Sequence, residues 1–523
     1  MREISVQEYV PVSQSNIWRA NHLFFADGGR GIWRSVPHHV TNSPCHAKKM
    51  AQLISAYWRD LIEAGLADRS APFYVLEIGS GIGKFGALLV QELVALCRER
   101  ELSSVKFTLV MTDMSLAAMD YFQWHPVLRK LVQVSCLDFA LYDFLNPDEI
   151  LLINSKVTLK NSVNPVVCIA NYVFCSLPQD YFKVESHQLK VGKIRSDIQL
   201  PENVHPNQYY TFSSVGAPVQ YETVSSDFYE EDLFNLYLND LAVKVELGYF
   251  IYPKFVLTGL QRMIHHVSDK ILMIVNDKGF ATDIGLRAAS EHGFTMHGKG
   301  FSFPVDFKAI GKFVELTGGD SLYQPIEQDL ATAVYCLGYG LSQLPNFEKT
   351  AIAVLGTASS GDYGVLFHEV AENTVKLSWG AMMAMLKISE WDPEVFGMIA
   401  GHLMEQLPYI AATEINKLLR ALPCIERNYF PYPNSSAFHY QAGIIYRKLG
   451  DVNSAISFFE KSLAMVDEKD YVLVELARCY LEAKMMPEAI KMAKRALMVV
   501  PDNLEMFGLL HKAGINMNDT ISR

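Results

Sequence analysis

Three glycines at alternate positions, Gly79, Gly81 and Gly83, follow the apolar run Phe73 to Ile78, and Glu77 stands two residues before the first of them. An apolar run closed by glycine and followed by the helical periodicity of Phe85 to Arg98 reads as strand, tight turn and helix. Such a turn brings backbone amides to a nucleotide, and three chemistries compete for it. A P-loop has four residues between its first glycine and a Gly-Lys pair, then Ser or Thr to hold magnesium. Here three residues separate Gly79 from Gly83-Lys84, and Phe85 follows, so that reading fails. A dinucleotide fingerprint can be set on Gly81-x-Gly83-x-x-Gly86, but its first glycine should close the strand, and Gly79 does that. The third chemistry is that of S-adenosyl-L-methionine. Gly79, Gly81 and Gly83 would let the backbone approach its methionine part, whose cationic amino group favours a carboxylate such as Glu77. Asp113 closes the next apolar run, Lys106 to Thr112, where a carboxylate can accept both ribose hydroxyls. Asp138 follows a third run, Leu131 to Cys136; it would reach the adenine amino group, or else serve as a cap or turn residue.

These residues need a sheet to carry them. Val166 to Ala170 and Lys270 to Val275 are further buried-strand patterns, and helical patterns separate the five. Residues 46–65 place Met50, Leu53, Ile54, Trp58, Leu61 and Ile62 on one helical face, with Gly65 as the stop. Strands alternating with helices imply a mostly parallel sheet covered on both faces. The fold class expected is α/β, a Rossmann-like class I methyltransferase sheet. Residues from about 181 to 225 break the rhythm with polar residues and prolines and read as an insertion near the sheet's carboxyl edge.

Beyond about residue 390 the pattern is helical throughout, and residues 436–503 repeat with a 34-residue period. Gly443, Tyr446, Ala455 and Phe459 in the first unit are answered by Ala477, Tyr480, Ala489 and Ala493 in the second. This resembles two tetratricopeptide repeats, with small residues where paired helices cross and aromatic residues filling the gaps. The organisation expected is a domain over 1–335, a helical connecting region over 336–432 and a repeat domain over 433–523 that binds other protein.

A chain of 523 residues with 50% hydrophobic and 20% charged content buries more than one core. Its formal charge of −11 exerts no overall pull on nucleic acid or an anionic membrane. The eight cysteines form no C-x-x-C pair, and the histidine pairs His38-His39 and His265-His266 have no third ligand at readable spacing, so no metal is expected. The amino-terminal residues lack a secretory pattern, and no apolar stretch is long enough to span a bilayer; a soluble cytoplasmic protein is the default.

Several separated segments, spanning roughly residues 20–320, resemble the MidA family of methyltransferases, whose mitochondrial members assist assembly of respiratory complex I. Val40-Thr-Asn-Ser-Pro44 is similar to that family's Thr-x-Pro entry segment, and Thr112-Asp-Met-Ser115 to its acidic-x-Ser turn, which places Ser115 with Asp113 at the cofactor. Asn171-Tyr-Val-Phe-Cys-Ser-Leu-Pro178 resembles the motif Asn-Glu-Phe-Phe-Asp-Ala-Leu-Pro that lines the methyl-transfer region. Asn276-Asp-Lys-Gly279 and Val305-Asp-Phe307 resemble the later Asp-Tyr-Gly and Val-Asp-Phe. The resemblance implies an enzyme that methylates arginine in a protein, with Asn171 contacting the acceptor and Asp277 supplying a carboxylate. Two departures bear on this: Tyr172 stands where the family has Glu, and Cys175 where it has Asp. The reading is therefore a protein methyltransferase with repeats that recruit its target; the alternative is a cofactor-binding scaffold whose repeats carry the function.

Overall fold

The structure is a computed structural model. It describes residues 5–27, 32, 36, 38–99, 101–145, 149–198, 219–282, 295–297, 300–324, 330–433, 435, 437–465 and 470–513. The chain divides into two compact units, Met1–Val365 and Leu366–Arg523.

In the first unit the strands of the two larger sheets are β1 (Ser5–Pro11), β2 (Phe73–Ile78), β3 (Phe107–Asp113), β4 (Leu137–Leu141), β5 (Val166–Asn171), β6 (Asp180–Glu185), β7 (Gln188–Ile198), β8 (Gln220–Thr223), β9 (Leu247–Tyr252), β10 (Ile271–Asp277), β11 (Asp320–Tyr323) and β12 (Ala331–Leu337). The helices that matter for the site are α1 (Asn16–Asp27), α2 (Pro44–Glu63), α3 (Lys84–Leu96), α4 (Leu116–Trp124), α5 (Pro126–Gln133) and α6 (Phe307–Leu316). Seven strands form the central sheet in the order β11-β12-β10-β5-β2-β3-β4. Five of them, from β10 to β4, run parallel, and β12 lies antiparallel between β10 and β11. Counted along the chain, the order is 3-2-1-4-5-7-6 with the seventh strand reversed, the Rossmann-like sheet of class I methyltransferases. The order turns back between β2 and β5, and in open α/β sheets the crevice outside the carboxyl ends at such a switch point is where ligands bind.

Local chemistry fixes the elements around that crevice. Ser43 caps α2, its hydroxyl accepting from the His46 amide at 3.2 Å, and Pro44 opens the helix. Trp58 on the apolar face of α2 packs on Phe73 and Phe107, ring centroids 5.5 and 5.6 Å away, so the helix is locked onto β2 and β3. Gly65, at φ +67°, stops the chain beyond the helix, as its position requires. The third strand departs from expectation. Leu131 to Gln133 belongs to α5, which Pro126 opens and in which Leu128, Leu131 and Val132 share one face; the strand begins only at Leu137. The expected insertion contributes β6 and β7 and runs on to β8; with β1 and β9 they make a second, antiparallel sheet, and residues 199–218 lie outside the described residues. The expected 335/336 boundary falls inside β12.

The second unit is helical. Helices Phe438–Lys448 and Val452–Met465 form one antiparallel pair of the repeat, and Asp470–Glu482 and Met486–Val499 the next. Ahead of them, Phe396 of the helix Pro393–Gln406 packs against Phe438, ring centroids 5.4 Å apart. Ala477, Ala489 and Ala493 are fully buried. Among the described residues no helix is long and apolar enough to cross a membrane.

The 34-residue period has a packing cause that can be tested. A Cβ on Gly443 would come within 2.6 Å of the buried Phe459 ring. Gly443→Val should destabilise the repeat unit by about 1–3 kcal/mol, although glycine is the poorer helix former. Chemical unfolding of the variant, followed by helical circular dichroism, checks this; equal stability would mean the helices can part at no cost.

Candidate functional site

At the switch point the ends of β2 and β5 enclose a cavity of about 400 Å³. The glycine turn forms one wall. Gly79, Gly81 and Gly83 have φ of +68°, +56° and +78°, the left-handed region in which a side chain is strained. Gly79 and Gly81 line the cavity, whereas Gly83 caps α3 and faces the core, where a Cβ would meet Met111 at 2.8 Å. A Cβ on Gly79 would touch Val173 at 3.0 Å, so the loop after β5 lies directly over the turn. Asn42, from the segment before α2, accepts from the Phe85 amide at 3.0 Å and joins the same wall.

Glu77 is 3% exposed and lines the cavity, and its Oε2 has no aligned hydrogen-bond partner. Burial pushes its carboxyl up to about 8; the adjacent Ser80 hydroxyl offsets part of this, and the Asp113 charge adds to it. The hydroxyls of Ser80 and Tyr142, also buried in the cavity wall, are likewise without aligned partners. Asp113, half-buried at the end of β3, accepts from the Ser115 and Gly81 amides, both at 3.0 Å. Burial pushes it up to about 6 against those bonds. Each of its oxygens keeps a further lone pair, and the residue lines the cavity.

Ser115 and Asp138 are placed otherwise. Ser115 caps α4, its hydroxyl accepting from the Ala118 amide at 3.4 Å, and does not line the cavity. Asp138 sits at the second residue of β4, opposite Val110, three residues short of the strand end that faces Asp113. Its carboxylate accepts from the amides of Phe139, Asn154 and Ser155 at 2.8, 2.8 and 2.9 Å and from Asn154 Nδ2 at 2.9 Å, so it ties down the following loop. The residues that do reach the cavity after β4 are Tyr142, Asp143, Phe144 and Leu145, of which Tyr142 and Asp143 carry polar groups. Reading α5 as strand hid them, because it set the strand end several residues early.

Under the other wall runs a polar chain. Thr332 Oγ1 donates to Asn276 Oδ1 at 2.8 Å, and Asn276 Nδ2 donates to Asn171 Oδ1 at 2.9 Å. His46 Nε2 lies 3.3 Å from the same oxygen and its Nδ1 2.8 Å from Ser360 Oγ. Burial pushes His46 down to about 4, so the ring is neutral and fits here as an Nε2–H donor. Asn171 thus lines the cavity with its oxygen engaged and its amide nitrogen without a partner among the described residues. Asp277 does not join it. Fully buried, it accepts from the Cys175 amide at 3.0 Å and the Lys278 amide at 2.8 Å, and it does not line the cavity. Its part is to hold the loop after β5, in which Tyr172 takes a left-handed φ of +56°. Asp306 of the later motif caps α6, accepting from the Ala309 amide at 3.0 Å. Among the described residues no three His, Cys, Asp or Glu side chains gather as a metal site.

Residues 446–513 match the tetratricopeptide repeat family model. No curated protein matches the chain. Similar solved structures include an uncharacterised protein from Burkholderia thailandensis, 12% identical, covering 63% of this chain and 88% of that one with a TM-score of 0.39. Another, from the same organism, is described as a methyl transferase candidate bound to S-adenosyl-homocysteine, with the same identity and coverage and a TM-score of 0.37. A tetratricopeptide-repeat protein of Thermus thermophilus is 20% identical over 33% of this chain and 89% of its own, with a TM-score of 0.20.

Two outcomes follow from the buried carboxylates. Glu77 and Asp113 hold protons that the unfolded chain has released, so stability is full below about pH 4 and is lost as pH rises through about 6 and then about 8. Glu77→Gln should flatten that loss and be the more stable protein at pH 8.5 by at least about 1 kcal/mol in denaturant titrations; an unchanged slope would show that Glu77 ionises freely. Asp138→Ala, which strands buried amides, should cost about 2 kcal/mol or more in the same assay.

Proposed function

We propose that this chain is an S-adenosyl-L-methionine-dependent methyltransferase of the MidA type that acts on a group presented by a partner protein. The observation that carries the reading is the Glu77 carboxylate, buried at the cavity wall with an oxygen unpartnered, beside two left-handed glycines and across from Asp113. A cationic ligand with a vicinal diol is what such a wall fits. The ligand's ammonium would draw Glu77 into its charged form, Gly79 and Gly81 would admit the methionine chain, and Asp113 would accept from the ribose hydroxyls. Tyr142 and Asp143 take the place assigned to Asp138 at the adenine. When bound, this cofactor supplies an electrophilic methyl, and the leaving thioether is neutral, so the residues need to align the acceptor rather than stabilise a leaving group. Asn171, its oxygen fixed by Asn276 and His46, would turn its amide nitrogen to the acceptor. Recruitment is assigned to the repeats, whose stacked helices form a surface that suits another chain.

Isothermal titration with S-adenosyl-homocysteine tests this. The full chain should bind, and affinity should rise between pH 6 and 8 as Glu77 gives up its proton, with proton release visible as a buffer-dependent heat. Glu77→Gln should weaken binding roughly tenfold, the loss of a charge-assisted hydrogen bond of about 1.5 kcal/mol. Gly81→Val should abolish it. Asp143→Ala should weaken it while Asp138→Ala leaves it unchanged; the reverse pattern would restore Asp138 to the site. Absence of binding to folded wild type sinks the reading.

A further inference from the structure

Opposite the glycine turn, the cavity ends among Trp18, Arg19, Lys278, His297 and Ser302. The aromatic part of this end is rigid: Trp18 packs on Phe301 and Phe303, ring centroids 5.1 and 5.0 Å away, and its Nε1 donates to the Val12 carbonyl at 2.9 Å. The charged part rests on Lys278, half-buried in the residue after β10. Its Nζ lies 3.5 Å from His297 Nε2, and that nitrogen is 2.9 Å from Ser302 Oγ. Burial, and then the Lys278 charge, push His297 down to about 4, so the ring is neutral and Lys278 is the cation of the group. No carboxylate pairs with Lys278 among the described residues. Asp277, its neighbour in sequence, spends both oxygens on backbone amides and does not line the cavity. Arg19, exposed on α1, is a second positive residue in the cavity lining. The acidic lining residues Glu77, Asp113 and Asp143 all belong to the wall assigned to the cofactor.

Resting on the proposed methyltransferase reading, we infer that the acceptor end of the cavity is a carboxylate-binding site, and that the acceptor carries a carboxylate held by Lys278 rather than a guanidinium. The ammonium keeps N–H groups beyond any directed at His297, whose Nε2 is itself bound to the Ser302 hydroxyl. A half-buried lysine without an acidic partner gains most from an anion that enters with its ligand. A guanidinium would meet Lys278 as a like charge and, among the described residues, would find no carboxylate paired there to orient it. A carboxylate acceptor also needs no base. Methyl transfer to a carboxylate oxygen forms one C–O bond as the C–S bond breaks, the electron pair leaves with the neutral thioether, and no proton has to be removed. An arginine or lysine acceptor would have to give up a proton, whereas His46 has both ring nitrogens engaged, His297 Nε2 faces Lys278 and Ser302, and Asp277 is sealed beneath the loop.

The test uses the full chain saturated with S-adenosyl-homocysteine and two flat probes of opposite charge, benzoate and benzamidine, followed by ligand-observed NMR. Benzoate should bind at least tenfold more tightly than benzamidine. A capped Ala-Glu-Ala peptide in a third arm distinguishes the source: tighter binding of the peptide assigns the carboxylate to a protein side chain, and tighter binding of benzoate assigns it to a small acid. Lys278→Met should lose the preference, and Lys278→Arg should keep it, with S-adenosyl-homocysteine affinity unchanged in both as proof of an intact fold. Equal binding of the two probes, a preference for benzamidine, or a preference that survives Lys278→Met overturns the inference while leaving the cofactor reading standing. Failure of wild type to bind S-adenosyl-homocysteine removes both.

Discussion

A carboxyl group shut away from water with one oxygen unpartnered is costly, and the glycine turn is arranged around one. Glu77 can occupy its place only because the surroundings make room. A Cβ on Gly86, one turn into α3, would lie 2.6 Å from Glu77 Oε2, so this glycine is fixed by the carboxylate and not by any turn. Thr112 holds the strand from the far side, its hydroxyl donating to the Glu77 carbonyl at 2.8 Å. The group is kept neutral by burial, and a positive ligand would restore its charge. Instability of the empty state and affinity for a cation are then two aspects of one desolvated oxygen.

The second wall is stiffened differently. Thr332, Asn276, Asn171, His46 and Ser360 come from β12, β10, β5, α2 and the helix Ser360–Asn373, so one hydrogen-bonded chain joins five elements beneath the cavity floor. Every member of it is neutral. A charged residue in that chain would set up a field beside the Asn171 amide, and these five residues supply none.

The parts legible in the sequence were those set by local rules. Glycines with positive φ after an apolar strand, the Gly65 stop beyond α2 and the 34-residue repeat each follow from backbone geometry or from a single close contact. Asp138 and Asp277 were not legible, because in the sequence both follow apolar runs and both look available to a ligand. Their carboxylates are instead consumed by the amides of loops distant in sequence. Asp143 escaped notice for a related reason: Val132 and Val134 gave α5 the composition of a strand, and periodicity over so few residues does not separate the two. The pairing of Lys278 with His297 and Ser302 depends on tertiary approach and leaves no local mark.

The loop after β5 also decides how the site meets oxidants. Cys175 lines the cavity, yet burial and then the neighbouring Asp277 push its thiol well above the ordinary range, and it stays protonated. Peroxides and electrophiles attack the thiolate. Where an aspartate would have been inert by nature, this cysteine is made inert by its surroundings, and the cavity should keep its shape under conditions that sulfenylate cysteines of ordinary acidity.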